Sequence, residues 1–271
     1  MPRVRRFDAS GAIQMNVLTE NQVDAFRQNG FIKISGAFSS ADVEWLSSEL
    51  ERLMQEWAVE GPGWSGPWRK TYLTVEEDER AILTAMHDLH FYSEAYMRAV
   101  MNDNMTGAIA DLIGPNVELH HTTLHAKAPE IGTPFPMHQD HPFYPHEGAA
   151  FIDAIVHIDA TNEENGCLKF LPGSHAGGPL EHITRDSSPH LPTDEYMLDD
   201  AVSVHCDAGD VVLFSYYTVH GSAANRTDQW RRLVRFGYRD PANAQISGQS
   251  HGRPGLMVRG QKRKAKTPTA V

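Results

Sequence analysis

The run VSVHCDAGDVVLFSYYTVHGSAANRTDQWRRLVRFGY, residues 202–238, decides the fold class. Two β-prone segments, Val202 to Cys206 and Val211 to Tyr217, flank the turn formers of Asp207 to Asp210, and a third, Leu233 to Tyr238, follows a polar loop. Nothing between them is long enough for a crossover helix, so consecutive strands pair antiparallel. The same grammar reaches back to Asn116 through Val117 to Ala126, Phe151 to Ile158 and Cys167 to Leu171. A β region of this extent suits a double-stranded β-helix, the jelly-roll or cupin-like sandwich, in a mainly β chain with flanking helices.

Upstream the pattern is helical. Thr19 and Gln22 form a capping box, Gly30 stops the helix carrying Val23 and Phe26, and Phe31 to Ile34 reads as a short strand. Ser39 or Ser40 caps a longer helix with Leu46, Leu50 and Leu53 on one face, and a third helical region is expected from about Arg80 to Ile113. Between them GPGWSGPW, residues 61–68, cannot be helical, and its two tryptophans suggest a lid. The expected organisation is one domain over residues 1–271: a helical layer and lid at 18–115, a β-helix core at 116–240, and an extension with a basic tail at 241–271.

The chain has 271 residues, 41% hydrophobic and 22% charged, enough to bury a sizeable core. Its formal charge of −11 disfavours a nucleic-acid partner, and no run approaches the roughly 18 apolar residues of a membrane span. Met1 to Arg6 is basic but no apolar segment follows, and Cys167 and Cys206 form no disulfide framework, so the expectation is a cytoplasmic protein. Fifteen histidines direct the search to metal chemistry.

Two histidines and one carboxylate on one face of a metal make a non-haem iron(II) site with positions open for other ligands. In extended chain His-x-Asp points both side chains the same way and supplies two of the three. Three such pairs occur: His138 with Asp140, His157 with Asp159, and His205 with Asp207. The last runs into a turn and the second into the polar loop 161–166, where solvation explains them. His138 and Asp140 lie among Pro134, Pro136 and Pro142 with Phe135, Phe143 and Tyr144 around them, a proline-stiffened apolar rim that reads as a site. His220, closing the apolar run 211–219, is the candidate third ligand. Eleven residues later Arg231 opens another strand, and a guanidinium entering a barrel calls for a carboxylate.

These segments resemble the phytanoyl-CoA dioxygenase family of iron(II)- and 2-oxoglutarate-dependent oxygenases. LTENQVDAFRQNGFIKI at 18–34, MHQD at 137–140, NGCLKFLPGSH at 165–175 and HGSAANRTDQWRR at 220–232 carry the likeness in order. It implies iron held by His138, Asp140 and His220, 2-oxoglutarate held at its far carboxylate by Arg231 and Ser222, with Thr123 and Gln139 lining its pocket, and dioxygen as the other co-substrate. Asp140 argues against a halogenase, whose chloride needs a small residue there. Strand alternation leaves Arg232 as an alternative, since Arg232 shares its face with Val234, Phe236 and Tyr238. Trp64, Trp68, Phe135, Phe143, Tyr144 and His87 are candidate substrate contacts. The resemblance implies hydroxylation of a small organic substrate, an acyl, amino-acid or secondary-metabolite compound, with release of succinate and carbon dioxide. A cupin-like metal hydrolase or isomerase and a non-catalytic binding barrel are the alternatives.

Overall fold

The computed structural model describes residues 15–262. The basic start and the end of the tail therefore lie outside the described residues. In chain order the elements are α1 (Glu20–Asn29), β1 (Phe31–Ile34), α2 (Ser40–Glu56), β2 (Val59–Gly61), α3 (Arg69–Tyr72), α4 (Val75–Arg80), β3 (Leu83–His87), α5 (Glu94–Ala99), α6 (Asp103–Ile113) and β4 (Val117–Lys127). There follow β5 (Phe135–His138), β6 (Phe151–His157), β7 (Leu168–Phe170), β8 (Val202–Val204), β9 (Val211–Ser215), β10 (His220–Ser222), β11 (Arg231–Arg239) and β12 (Leu256–Arg259).

Among the described residues the strands form two sheets. The larger runs β1-β9-β6-β11-β4-β3-β2, with β12 also on β4, and the smaller runs β5-β10-β7-β8. All their pairings are antiparallel, so the architecture is jelly-roll-like with helices, as the strand grammar predicts. The helices cover the outer face of the larger sheet. Leu46, Leu50 and Leu53 of α2, Tyr96 of α5, and Met105 and Ile109 of α6 share one core with Leu124, Val156, Val234 and Phe236. Burying such aliphatic and aromatic side chains is worth roughly 1.5–3 kcal/mol each, so this layer is what anchors the sheet whose other face carries the site.

The expected termini hold. Thr19 accepts from the amide of Gln22, Ser39 from that of Asp42, and Gly30 ends α1 in the left-handed region with φ 85°. A Cβ on Gly30 would also lie 2.7 Å from Thr218 Oγ1. The turn at 207–210 forms as expected, with the Asp210 amide donating to the Asp207 carbonyl.

Four expectations need correction. The region 80–113 is not continuously helical, because Leu83 to His87 pairs with β4 from Lys127 to Thr123; a five-residue strand stabilised by a distant partner leaves little local signal. The apolar run 211–219 is not one strand. β9 ends at Ser215 and the chain crosses to the smaller sheet, where His220 opens β10. His157 is not explained by solvation: it is fully buried on β6, and Asp159 is held by Arg232 rather than by water. The extension expected at 241–271 is not all tail, because Arg259 belongs to β12, with an ion pair to Asp103 at 2.7 Å.

Candidate metal centre

The mixed polarity of β11 determines where the site lies. Val234, Phe236 and Tyr238 pack under the helices, so Arg231, Leu233 and Arg235 face the space between the sheets. They line a cavity of about 480 Å³, open mouth included, together with Trp64, His125, Phe135, His138, Asp140, Ile155, Leu168, Phe214, His220, Gly221 and Ser222. β5 and β10 pair with His138 opposite His220, which brings residues 82 positions apart into contact. Ser174 fixes this approach from outside: its hydroxyl donates to the Leu171 carbonyl and accepts from the Val219 amide, 2.7 and 2.9 Å. The LPGSH segment thus has a structural role, bracing the approach of His220.

His138, Asp140 and His220 are all buried and offer ligand atoms within 4.8 Å of one another. His138 Nδ1 donates to the Pro136 carbonyl at 2.8 Å and His220 Nδ1 to the Thr218 carbonyl at 3.0 Å. Carbonyls only accept, so both rings carry their proton on Nδ1 and present a free Nε2 lone pair. Those nitrogens stand 3.6 and 3.9 Å from the Asp140 carboxylate. Backbone-anchored imidazoles of this kind are the usual support of metal ligands. Burial, and the neighbouring His138, push His220 down to about 3, so it is neutral near neutral pH. Burial would raise Asp140, but Arg235 and the two imidazoles hold it well below the ordinary carboxylate range. Neither Asp140 oxygen has an aligned hydrogen bond. Two imidazole nitrogens and a carboxylate converging in one buried place fit a divalent metal of the iron class.

Arg231 is the second incomplete group. It is buried, among the described residues no carboxylate lies within ion-pair distance, its Nε has no hydrogen-bond partner, and its Nη1 makes a long bond of 3.4 Å to the His125 carbonyl. Burial pushes its guanidinium down to about 9. Beside it the buried Lys127 donates to Ser222 Oγ at 2.7 Å and to the Ala223 carbonyl. Because Ser222 accepts there, its own hydrogen is free to donate. A buried cation with a neighbouring hydroxyl donor fits an anionic ligand such as a carboxylate.

The remaining candidates divide. Trp64 lines the cavity with its ring centroid 4.6 Å from that of His138, and Phe135 and Phe143 pack on it at 5.0 and 4.9 Å. The loop carrying Trp64 is pinned by Arg69, which donates to the Pro62 and Trp64 carbonyls. Trp68 is outside the cavity, its ring tilted against those of Tyr72 and His190. Tyr144 is fully buried behind Arg235. His87 lies on β3, not on a helix, and bonds Thr123 at 3.2 Å. Neither Thr123 nor Gln139 is among the lining side chains. Gln139 is spent on the backbone, donating to the Gly178 and Tyr217 carbonyls and accepting from the Leu180 amide. Arg232 points away from the cavity. Sequence reasoning missed Arg235 and His125, although strand alternation from Arg231 through Leu233 to Arg235 carried the signal.

Comparison with known proteins agrees with this geometry. The family profile described as Phytanoyl-CoA dioxygenase (PhyH) matches residues 26–233. The "Probable alpha-ketoglutarate-dependent hypophosphite dioxygenase" of Stutzerimonas stutzeri is 27% identical over 228 residues, covering 79% of this chain and 76% of its own. The 2-aminoethylphosphonate dioxygenase of the uncultured bacterium HF130_AEPn_1 is 27% identical over 230 residues, covering 83% and 82%. Among solved structures, the epimerase SnoN in complex with Fe3+, alpha ketoglutarate and nogalamycin RO superposes with a TM-score of 0.69 at 19% identity, over 89% of this chain and 98% of its own.

Proposed function

The chain belongs to the phytanoyl-CoA dioxygenase family of iron- and 2-oxoglutarate-dependent dioxygenases, and on that premise we propose that it hydroxylates an unactivated C–H bond of a small organic molecule. With the family known, the metal hydrolase and the non-catalytic barrel no longer compete. The observation that carries the residue assignment is the convergence of His138, Asp140 and His220 beside an arginine that has no anion of its own.

In this reading His138 Nε2, His220 Nε2 and the Asp140 carboxylate hold the iron. Arg231 pairs with the far carboxylate of 2-oxoglutarate and Ser222 donates its hydroxyl to the same group, while Lys127 keeps Ser222 in place. Iron and 2-oxoglutarate, when bound, supply the oxidising power from dioxygen, with succinate and carbon dioxide as co-products. The protein's part is to orient the substrate and exclude water. Trp64, Phe135 and Phe143 form an apolar wall against His138, which supports a substrate presenting a hydrocarbon face. The phosphorus substrates in the names of the two relatives would need cationic contacts, whereas Arg231 is reserved for the co-substrate and Arg235 is engaged by Asp140.

The test is succinate formation from 2-oxoglutarate and anaerobic binding of the co-substrate. Arg231→Met is expected to weaken 2-oxoglutarate binding at least about 30-fold, the scale for truncating one partner of a buried charge pair, with metal binding retained. His138→Ala is expected to lose the metal. Undiminished succinate formation in His138→Ala would refute the assignment.

A further inference from the structure

Arg235 stands 2.8 Å from Asp140 Oδ1, and it is held there from behind. Its Nη1 donates to the Tyr144 hydroxyl at 3.2 Å, its Nε is 3.9 Å from Asp153 Oδ1, and the Tyr144 hydroxyl donates to Asp153 Oδ2 at 3.0 Å. The guanidinium also lies 5.4 Å from the Tyr144 ring centroid. Tyr144 and Asp153 are completely buried and Arg235 is 7% exposed. Two acids and a tyrosine around one arginine leave it little freedom to leave Asp140.

We propose that Arg235 is a positioning residue that restricts Asp140 to one metal-binding oxygen. The inference rests on the ligand assignment proposed above. A carboxylate has two equivalent oxygens, and an unrestrained one can chelate a metal through both. Three single-atom protein ligands leave three positions on a six-coordinate ion; a chelating Asp140 would leave two. The co-substrate alone needs two through its keto acid, and dioxygen needs another. By engaging Oδ1, Arg235 leaves Oδ2 as the free oxygen, and the Asp153–Tyr144 pair keeps it from swinging into the cavity as a substrate contact.

Cobalt(II) reports this without turnover, because its visible absorption depends on coordination. In Arg235→Met the Co(II) spectrum recorded without 2-oxoglutarate is expected to change, and Co(II) is expected to bind about 10–100-fold more weakly, the range for losing an outer-shell partner of a metal ligand, with 2-oxoglutarate binding weakened as well. Arg235→Lys, which keeps a cation for Oδ1, should restore most of all three. Should Arg235→Met fail to fold, Tyr144→Phe removes the hydroxyl that accepts from Arg235 and donates to Asp153, loosening the clamp with Arg235 in place, and should move the spectrum the same way to a smaller extent. A folded Arg235→Met with the wild-type Co(II) spectrum overturns the proposal, even if 2-oxoglutarate affinity falls, since Arg235 would then be touching the co-substrate directly. An unchanged spectrum in Tyr144→Phe overturns it where Arg235→Met is unfolded. Wild-type protein that binds no Co(II) sinks the ligand assignment as well, a different failure from an Arg235 variant that binds it normally.

Discussion

Arg231 and Arg232 are consecutive guanidiniums with opposite environments, and the difference follows from a strand's two-residue period. Arg232 leaves the sheet on the helical side. It takes Asp159 with two parallel bonds, Nη2 to Oδ1 at 2.7 Å and Nε to Oδ2 at 2.9 Å, and reaches Ser47 of α2 at 3.0 Å. Its charge is satisfied, so it has nothing to offer a co-substrate. Arg232→Met is accordingly expected to cost about 1–3 kcal/mol of stability, from a charge-assisted pair that is mostly but not wholly buried, with 2-oxoglutarate affinity unchanged. Urea unfolding beside calorimetric binding checks this; weakened 2-oxoglutarate binding with intact stability would reverse the roles of the two arginines. The alternation itself was legible in the sequence. What the sequence did not contain is which face of β11 meets the helices: its apolar side chains point to the outer layer, and the polar face, poor by any hydrophobic criterion, is the one that lines the site.

At the scale of the element, β10 is three residues long and places both His220 and Ser222. Gly221 between them is there for closeness. A Cβ would sit 2.8 Å from the Phe135 carbonyl oxygen and 2.8 Å from Leu198 Cδ2, and backbone oxygen cannot yield as a side-chain tip can. Gly221→Ala is therefore expected to force β5 and β10 apart, costing about 1–3 kcal/mol as overpacking does, and to weaken metal binding because His138 rides on β5. A Co(II) titration and a thermal melt check the pair of effects; wild-type values in both would show that the strands have slack. The sequence marked His220 as the end of an apolar run, while the structure makes it the start of a strand in the opposite sheet. Local pattern registers that a strand stops, but the change of sheet between Ser215 and His220 depends on contacts with β5 and β7 that no local window contains. β3 was lost for the same reason. The N-cap of α1, the start of α2 to within one serine and the turn at 207–210, whose hydrogen bonds span only three residues, were legible.

For the whole molecule, placing so many imidazoles in the interior ties stability to pH. Burial pushes His120, His157 and His182 down to about 4, and His146 and His220 to about 3. An unfolded chain binds a proton at each near the ordinary value of about 6.5, so between there and about 4 the unfolded state holds more protons and stability falls as pH falls. Asp153 acts in the other direction: burial and the charge of Asp140 raise it well above its ordinary value, so the folded state keeps a proton that the unfolded state has lost. One such group against five fixes the sign. The metal-free protein is expected to be most stable above pH 6.5 and to lose stability below it, at a slope approaching about 1.4 kcal/mol per pH unit for each net proton taken up. Urea unfolding from pH 7.5 to 4.5 measures that slope. His157→Gln, which removes a buried imidazole outside the ligand set whose two ring nitrogens have no partner, should lower it by about one proton. A flat profile would mean that the interior admits the charged imidazoles, and a fold that did so would also let protons compete with the metal for His220 at neutral pH.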